Sequence, residues 1–258
     1  MKKLSVATMR CEKCVARISG ALEEAGIAFE ISLEDKLVSV DEAKVAEAIE
    51  AGKDIELYAA DPNPEKLEAL AEYGSIPIIN GLTDFCHPCQ VLADLMTIRE
   101  FKGKLEGLKM CFIGDGNNMA NSLIVGCLKM GMAVSIACPD DYQPPKEILD
   151  FAAQYDCFEM TNSPAQAAKD ADVLITDVWA SMGQEDEAAK RREAFAGYQI
   201  NDELMACAKA DAMVLHCLPA HREEEITEKV FEAHAKEIFE EAENRLHAQK
   251  AVMVKLMA

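Results

Sequence analysis

Basic residues are scarce in this 258-residue chain, where 26 lysines and arginines stand against 46 aspartates and glutamates for a formal net charge of −20. Those few form no cluster, which excludes the phosphate-neutralising surface that nucleic-acid binding needs. Long apolar runs are missing as well. The most apolar stretch, SLIVGCLKMGMAVSIAC, contains Lys129 and two glycines. It reads as a helix followed by a strand, so no membrane span is expected. The amino terminus opens with two lysines but no apolar segment follows them, so no secretory signal is expected. Internal repeats and low-complexity segments are absent. What is present is ordinary globular composition, 50% hydrophobic and 28% charged, enough for one or two domains with ample core.

Ten cysteines are scattered without dense, even spacing. Cys111, Cys127, Cys138 and Cys157 fall in apolar runs, where a free thiol behaves as a small hydrophobe. This usage fits a reducing cytosol rather than a disulfide framework, and a cytoplasmic location is expected. Two pairs have C-x-x-C spacing, Cys11/Cys14 in MRCEKC and Cys86/Cys89 in FCHPCQ. The first sits at a strand-to-helix junction, where the positive end of the helix dipole lowers thiol pKa. Soft thiolates so spaced suit Cu(I) or Zn(II). The second pair admits three readings: half of a zinc site, a thioredoxin-like redox pair, or cysteines incidental to another motif.

Residues 1–58 are expected to form a ferredoxin-like βαββαβ module. Its strands are LSVAT, FEISLE, LVSVD and DIELYA, and its helices are KCVARISGALEEAG and EAKVAEAIEAGK. ADPNP at 60–64 reads as a linker, because its two prolines continue neither helix nor ladder. Residues 59–100 then carry a linker and an interdomain helix, and 101–258 a second domain. There, LKMCFIGDGNNMANSLIVGCLKMGMAVSIACP, DVLITDVWASMG and DAMVLHCLPA alternate strands with helices. That is the pattern of an α/β, Rossmann-like domain with a parallel sheet, whose functional groups gather beyond the carboxyl ends of the strands.

The first module, with its M-x-C-x-x-C, resembles a heavy-metal-associated domain of the copper-chaperone type. The resemblance makes Cys11 and Cys14 the metal ligands, with Thr8 standing where the family usually has glycine. From about Leu67 onward the chain resembles the ornithine carbamoyltransferases. INGLTDFCHPCQVLADLMTI carries this likeness, with four further separated motifs in order: GDGNN, DVWASMGQE, HCLPAHR and EAENRLHAQKA. The resemblance makes 59–100 a linker and a remnant of the family's carbamoyl-phosphate half with the interdomain helix, and 101–258 its ornithine-binding domain. The cysteines of FCHPCQ are then incidental to an H-P-x-Q motif.

The resemblance implies an enzyme that moves a carbamoyl group from carbamoyl phosphate to the δ-amine of L-ornithine, a step of arginine biosynthesis. It implies no cofactor, no nucleic-acid or membrane partner, and a homo-oligomer, by likeness a trimer. Site roles also follow from the likeness. His87 and Gln90 hydrogen-bond the carbamoyl group, joined by Arg245 and by the loop His216–Pro219, which includes Leu218. Asn118, Asp177, Ser181 and Met182 take the amino acid, and Cys217 lies beside the reacting amine, where its paired Asp177 biases that amine toward its reactive form. Two departures stand out. No Ser-Thr-Arg-Thr segment, the family's phosphate grip, occurs in the chain, and Glu223 follows HR where glycine is usual. A non-enzymatic fusion that binds metal and an amino acid is the alternative.

Overall fold

The computed structural model describes residues 2–5, 12–34, 37–44, 58–60, 62–73, 78–180 and 187–257. Two compact units divide the chain, Met1–Asp84 and Phe85–Ala258.

In the first unit, strand β1 (Lys2–Ser5) precedes helix α1 (Glu12–Glu24), and β2 (Phe29–Ser32) and β3 (Leu37–Val40) follow. The three strands form an antiparallel sheet in the order β1-β3-β2. Ile18 and Leu22 of α1, four positions apart, are buried with Ile27, Val38 and Val40, the i, i+4 face of an amphipathic helix meeting alternate positions of a strand. Gly26 leaves the helix at φ 67°, a left-handed conformation that glycine adopts without a Cβ penalty.

The expected second helix falls largely outside the described residues, beyond a short 3₁₀ turn at Glu42–Lys44. The fourth expected strand takes a different partner. Its described end, β4 (Tyr58–Ala60), pairs in parallel with β5 (Ile79–Leu82), across α2 (Pro64–Tyr73). Among the described residues the antiparallel sheet therefore has three strands, and the ferredoxin-like closure does not appear in it. The prolines expected to make a linker instead start α2. Asn63 Oδ1 accepts from the Glu65 amide at 2.8 Å and Pro64 opens the helix, where its missing N–H would have had no partner. The compact units part at Asp84, not at residue 58.

The second unit is the expected parallel α/β domain. Helix α3 (Pro88–Lys102) leads to β6 (Lys109–Ile113), α4 (Asn118–Lys129), β7 (Ala133–Ala137), α5 (Lys146–Ala152), β8 (Phe158–Thr161), α6 (Pro164–Ala168) and β9 (Val173–Thr176). Helices α7 (Ala188–Ala194) and α8 (Asp202–Met205), strand β10 (Met213–His216), and helices α9 (Glu228–Ala233) and α10 (Ala235–Met257) complete it. The sheet order is β10-β9-β6-β7-β8, all parallel.

Both faces of this sheet are buried, so its strands read as continuous apolar runs. Met110, Phe112, Val173, Ile175, Met213 and Leu215 pack on one face. Their neighbours Cys111, Ile113, Leu174 and Val214 pack on the other. The chain order reverses at the β6/β9 pair, the position where a doubly wound sheet opens a crevice. Register puts Ile113, Thr176 and His216 level at that edge. Gly114, Asp177 and Cys217 therefore leave three adjacent strands side by side. Among the described residues no helix is long and apolar enough to cross a membrane.

Candidate active site at the switch point

GDGNN turns β6 into α4, and its geometry explains both glycines. Gly114 has φ 147°, in the region where side chains are rarely found. Gly116 lies against the chain beyond β7: its N–H donates to the Tyr142 carbonyl at 2.8 Å. A Cβ there would meet the Pro144 nitrogen at 2.3 Å and the Gln143 carbonyl carbon at 2.4 Å. Both obstacles are backbone and cannot rotate away. Gly116→Ala is expected to destabilise the fold by about 3 kcal/mol or more, read as a lower melting temperature. An unchanged melting temperature would show that the Gln143–Pro144 segment yields easily.

Asn117 caps α4, its Oδ1 accepting from the Met119 amide at 2.9 Å and the Ala120 amide at 3.3 Å. Its Nδ2 donates to Asp177 Oδ2 at 2.9 Å. The other oxygen of Asp177 accepts from its neighbour Val178 N–H at 2.8 Å and from the Cys217 thiol at 3.1 Å. Three elements thus fix one carboxylate at the switch point. Burial and the facing Asp177 push the Cys217 thiol well above its ordinary range. It is a neutral donor here, not a thiolate nucleophile.

The expected amino-acid contact Asn118 begins α4, and its carbonyl accepts the Ser122 hydroxyl at 2.9 Å. Ser122 Oγ in turn accepts the His87 backbone N–H at 2.7 Å. This links the amino end of α4 to the H-P-x-Q turn.

Pro88 opens α3 at its first position, and Gly103 closes it at φ 74°. The first turn presents Gln90, whose Oε1 accepts from Arg245 Nη1 at 2.5 Å; that nitrogen lies 3.4 Å from His87 Nε2. The structure thus brings His87, Gln90 and Arg245 together. Cys89 is buried beside them and burial raises its thiol.

The HCLP loop is held from behind. Leu218 N–H donates to His216 Nδ1 at 2.9 Å, so the proton of this neutral ring sits on Nε2, which donates to Glu225 Oε1 at 3.0 Å. The same carboxylate oxygen accepts the His221 amide at 2.6 Å. Leu218 sits at φ 56° and Glu223 at φ 69°, both in the left-handed region. The second is the position where the resembling family usually has glycine, which reaches that region freely.

Ser181, Met182 and Cys11 lie outside the described residues, and Cys14 is placed only as a member of α1. Four contributors escaped the sequence reading: Asn117, Glu225, the Asp94/Glu241 pair, and Arg191. Arg191 donates to Asp115 Oδ2 of GDGNN at 2.6 Å and to the Trp179 carbonyl beyond β9 at 2.9 Å.

A family model described as "Aspartate/ornithine carbamoyltransferase, Asp/Orn binding domain" matches residues 106–256, more than half of the chain. The chain belongs to the aspartate/ornithine carbamoyltransferase family. A second model, for the carbamoyl-P binding domain of these carbamoyltransferases, matches residues 32–100. That match begins inside the segment expected to be a separate metal module.

The ornithine carbamoyltransferase of Geobacter sulfurreducens is 52% identical over 195 residues, which are 75% of this chain and 64% of that protein. That of Oceanobacillus iheyensis is 51% identical over 223 residues, 84% of this chain and 68% of that one. Among solved carbamoyltransferase structures, the Pyrococcus furiosus ornithine carbamoyltransferase aligns with a TM-score of 0.75 at 41% identity, covering 92% of this chain and 80% of that chain. The chain spans 64% of the length of its Geobacter relative.

Proposed function

We propose that the chain is an ornithine carbamoyltransferase subunit, joining a carbamoyl group from carbamoyl phosphate to the δ-amine of L-ornithine. The observation that carries this reading is the pairing of two clusters at one sheet edge. Asp177, held by Asn117 and Cys217, is a fixed negative charge for an ammonium. His87, Gln90 and Arg245 are polar groups turned to one another, suited to a polarised carbonyl.

In the reaction, the neutral δ-amine attacks the carbamoyl carbon, a C–N bond forms, the C–O bond to phosphate breaks, and the amine loses a proton. The Arg245 guanidinium favours the oxygen on which negative charge develops. The Cys217 thiol donates to Asp177, and that carboxylate biases the amine. Ser181 and Met182 complete the amino-acid pocket, Asn118 contacts its head group, and His216 and Leu218 carry the loop to the carbamoyl side. The phosphate grip, for which the sequence has no Ser-Thr-Arg-Thr segment, comes from a chain of different sequence in a mixed assembly. Location in the cytoplasm accords with the free thiols of Cys111, Cys127, Cys138, Cys157, Cys207 and Cys217.

A second reading concerns residues 1–58. The strand–helix–strand–strand order, with Cys14 in the first turn of α1, supports a heavy-metal-associated module taking Cu(I) or Zn(II) at Cys11 and Cys14. In that reading the chain binds metal and an amino acid without turnover.

Calorimetric titration of the full chain with L-ornithine, with and without carbamoyl phosphate, then a citrulline assay, tests the first reading. Heat with ornithine and citrulline formation is the expected result. Heat without turnover moves the chain to the binding reading, and no heat at all overturns both uses of the pocket. A parallel Zn(II) titration of the chain and its Cys11→Ser/Cys14→Ser variant decides the metal claim, which fails if the two bind alike.

A further inference from the structure

Helices α3 and α10 meet along a seam that is polar where a core is expected. Gln90, Asp94 and Thr97 are buried on α3, and Glu241 and Asn244 on α10. Asn244 Nδ2 donates to Thr97 Oγ1 at 3.0 Å and to Glu100 Oε2 at 2.7 Å. Nearer the site, Gln90 Nε2 donates to Asp94 Oδ1 at 2.8 Å and to Glu241 Oε1 at 2.9 Å. The second oxygen of Glu241 accepts the His216 backbone N–H at 2.8 Å. Two carboxyl groups, each fully screened from water, thus converge on one amide nitrogen.

We propose that Asp94 and Glu241 are positioning residues: together they lock the Gln90 side chain with its oxygen toward Arg245, and Glu241 ties that lock to the strand end that carries the HCLP loop. This rests on the carbamoyltransferase reading for its catalytic meaning, though not for its geometry. An amide side chain has two ends of similar shape, and only its surroundings choose between them. Arg245 offers only donors, so it faces Oε1. The carboxyl pair offers acceptors, so it holds Nε2. Without the pair, the Gln90 amide nitrogen would be buried with nothing to donate to, and the orientation facing Arg245 would lose its support.

Two carboxylates this close cannot both ionise in a dry seam. Burial lifts Asp94 to about 6. Burial and the neighbouring Asp94 lift Glu241 well above its ordinary range. One proton is therefore shared, and the remaining negative charge is balanced by Arg245 of α10. The other titratable groups facing the pair are Cys127 of α4 and His216 and Cys217 at the end of β10. The shared proton is lost as pH rises, which sets two like charges beside the Gln90 amide nitrogen.

The test uses the full chain with Glu241→Ala and Glu241→Gln. Both Glu241 oxygens accept from N–H donors, and glutamine keeps one accepting oxygen of the two. Glu241→Ala is expected to raise KM for carbamoyl phosphate about tenfold, the worth of one hydrogen bond's positioning, with ornithine affinity changed less than about twofold on the same scale. Glu241→Gln is expected to lie between wild type and Glu241→Ala, since it keeps one accepting oxygen, whereas a seam that only packs the helices would leave the two variants alike. An unchanged KM in Glu241→Ala, or equal damage in both variants, overturns the proposal.

Glutamine-labelled NMR supplies a reading that needs no ligand, with the Gln90 side-chain signal identified by its loss in Gln90→Glu. The wild-type signal is expected to shift as pH rises through the titration of the pair, and that of Asp94→Asn/Glu241→Gln, which has no carboxyl left there, is not. Identical profiles overturn the lock, and this arm decides even where Glu241→Ala does not fold. If the wild type gives neither citrulline nor heat with ornithine, the carbamoyltransferase reading fails, and the NMR profile still settles the lock by itself.

Discussion

Asp177→Ala is expected to remove measurable L-ornithine binding, with an affinity loss of about a hundredfold or more. Asp177 is buried at the carboxyl end of β9, where low exposure strengthens its attraction for an ammonium. Truncating one member of such a charge pair typically costs about 2–5 kcal/mol, and 2.7 kcal/mol is roughly a hundredfold by the affinity relation. The alanine also leaves the Cys217 thiol and the Asn117 amide without their acceptor, so part of any loss could reflect a disturbed pocket. Asp177→Asn separates the two effects. It keeps the shape and one accepting oxygen while deleting the charge, so it is expected to hold the melting temperature better than alanine and still lose ornithine. Calorimetry on both variants checks this, and wild-type affinity in either one would end the role of Asp177 as counter-charge.

The fold of the second unit was legible because its strands are short apolar runs with both faces buried, separated by amphipathic helices. Among the residues the motifs name, His87 and Gln90 meet Arg245, and Asp177 meets Cys217. What was hidden shares one physical cause. Glu241 lies in EIFEEAENR, a run that reads as a solvated charged face. Yet Ile238, Glu241, Asn244 and Ala248 are the buried stripe of α10. Its helical period is masked because two of its four members are polar, and nothing in one helix shows that Gln90 and Asp94 wait across the seam. Asn117 was hidden differently. It and Asn118 are adjacent, and only the turn geometry makes the first the cap and the Asp177 partner. In the first unit the described end of the expected fourth strand takes another partner, because alternation specifies a strand but not its neighbour, and residues 58–60 pair with residues 79–82.

Arg191 was hidden most completely, in the sequence KRREAF, and its loss is expected to be the most destabilising single change to the site's frame. The side chain is buried although its neighbour Arg192 is largely exposed. It bridges Asp115 at 2.6 Å and the Trp179 carbonyl at 2.9 Å, and its guanidinium lies 5.0 Å from the centre of the Tyr142 ring. It therefore pins together the loops beyond β6, β7 and β9. Even with this partner, burial holds the Asp115 carboxyl above its ordinary range, so desolvation outweighs the attraction of Arg191. Arg191→Ala removes the guanidinium that opposes that burial and is expected to cost about 3–5 kcal/mol, as breaking a buried pair does. For a domain of this size that corresponds to a melting temperature lower by roughly 10 °C.

The pH dependence fixes the cause. An acid whose folded pKa is raised contributes stability at low pH and loses it as pH rises through the folded value. In Arg191→Ala the folded value rises further, so the deficit against wild type is expected to be largest near neutrality and to shrink toward the ordinary carboxylate range. Asp115→Asn in the Arg191→Ala background is expected to recover part of the loss, since it removes the stranded charge. A deficit that is flat with pH, with no recovery in the double variant, would assign the effect of Arg191 to packing against Tyr142 instead of to its charge.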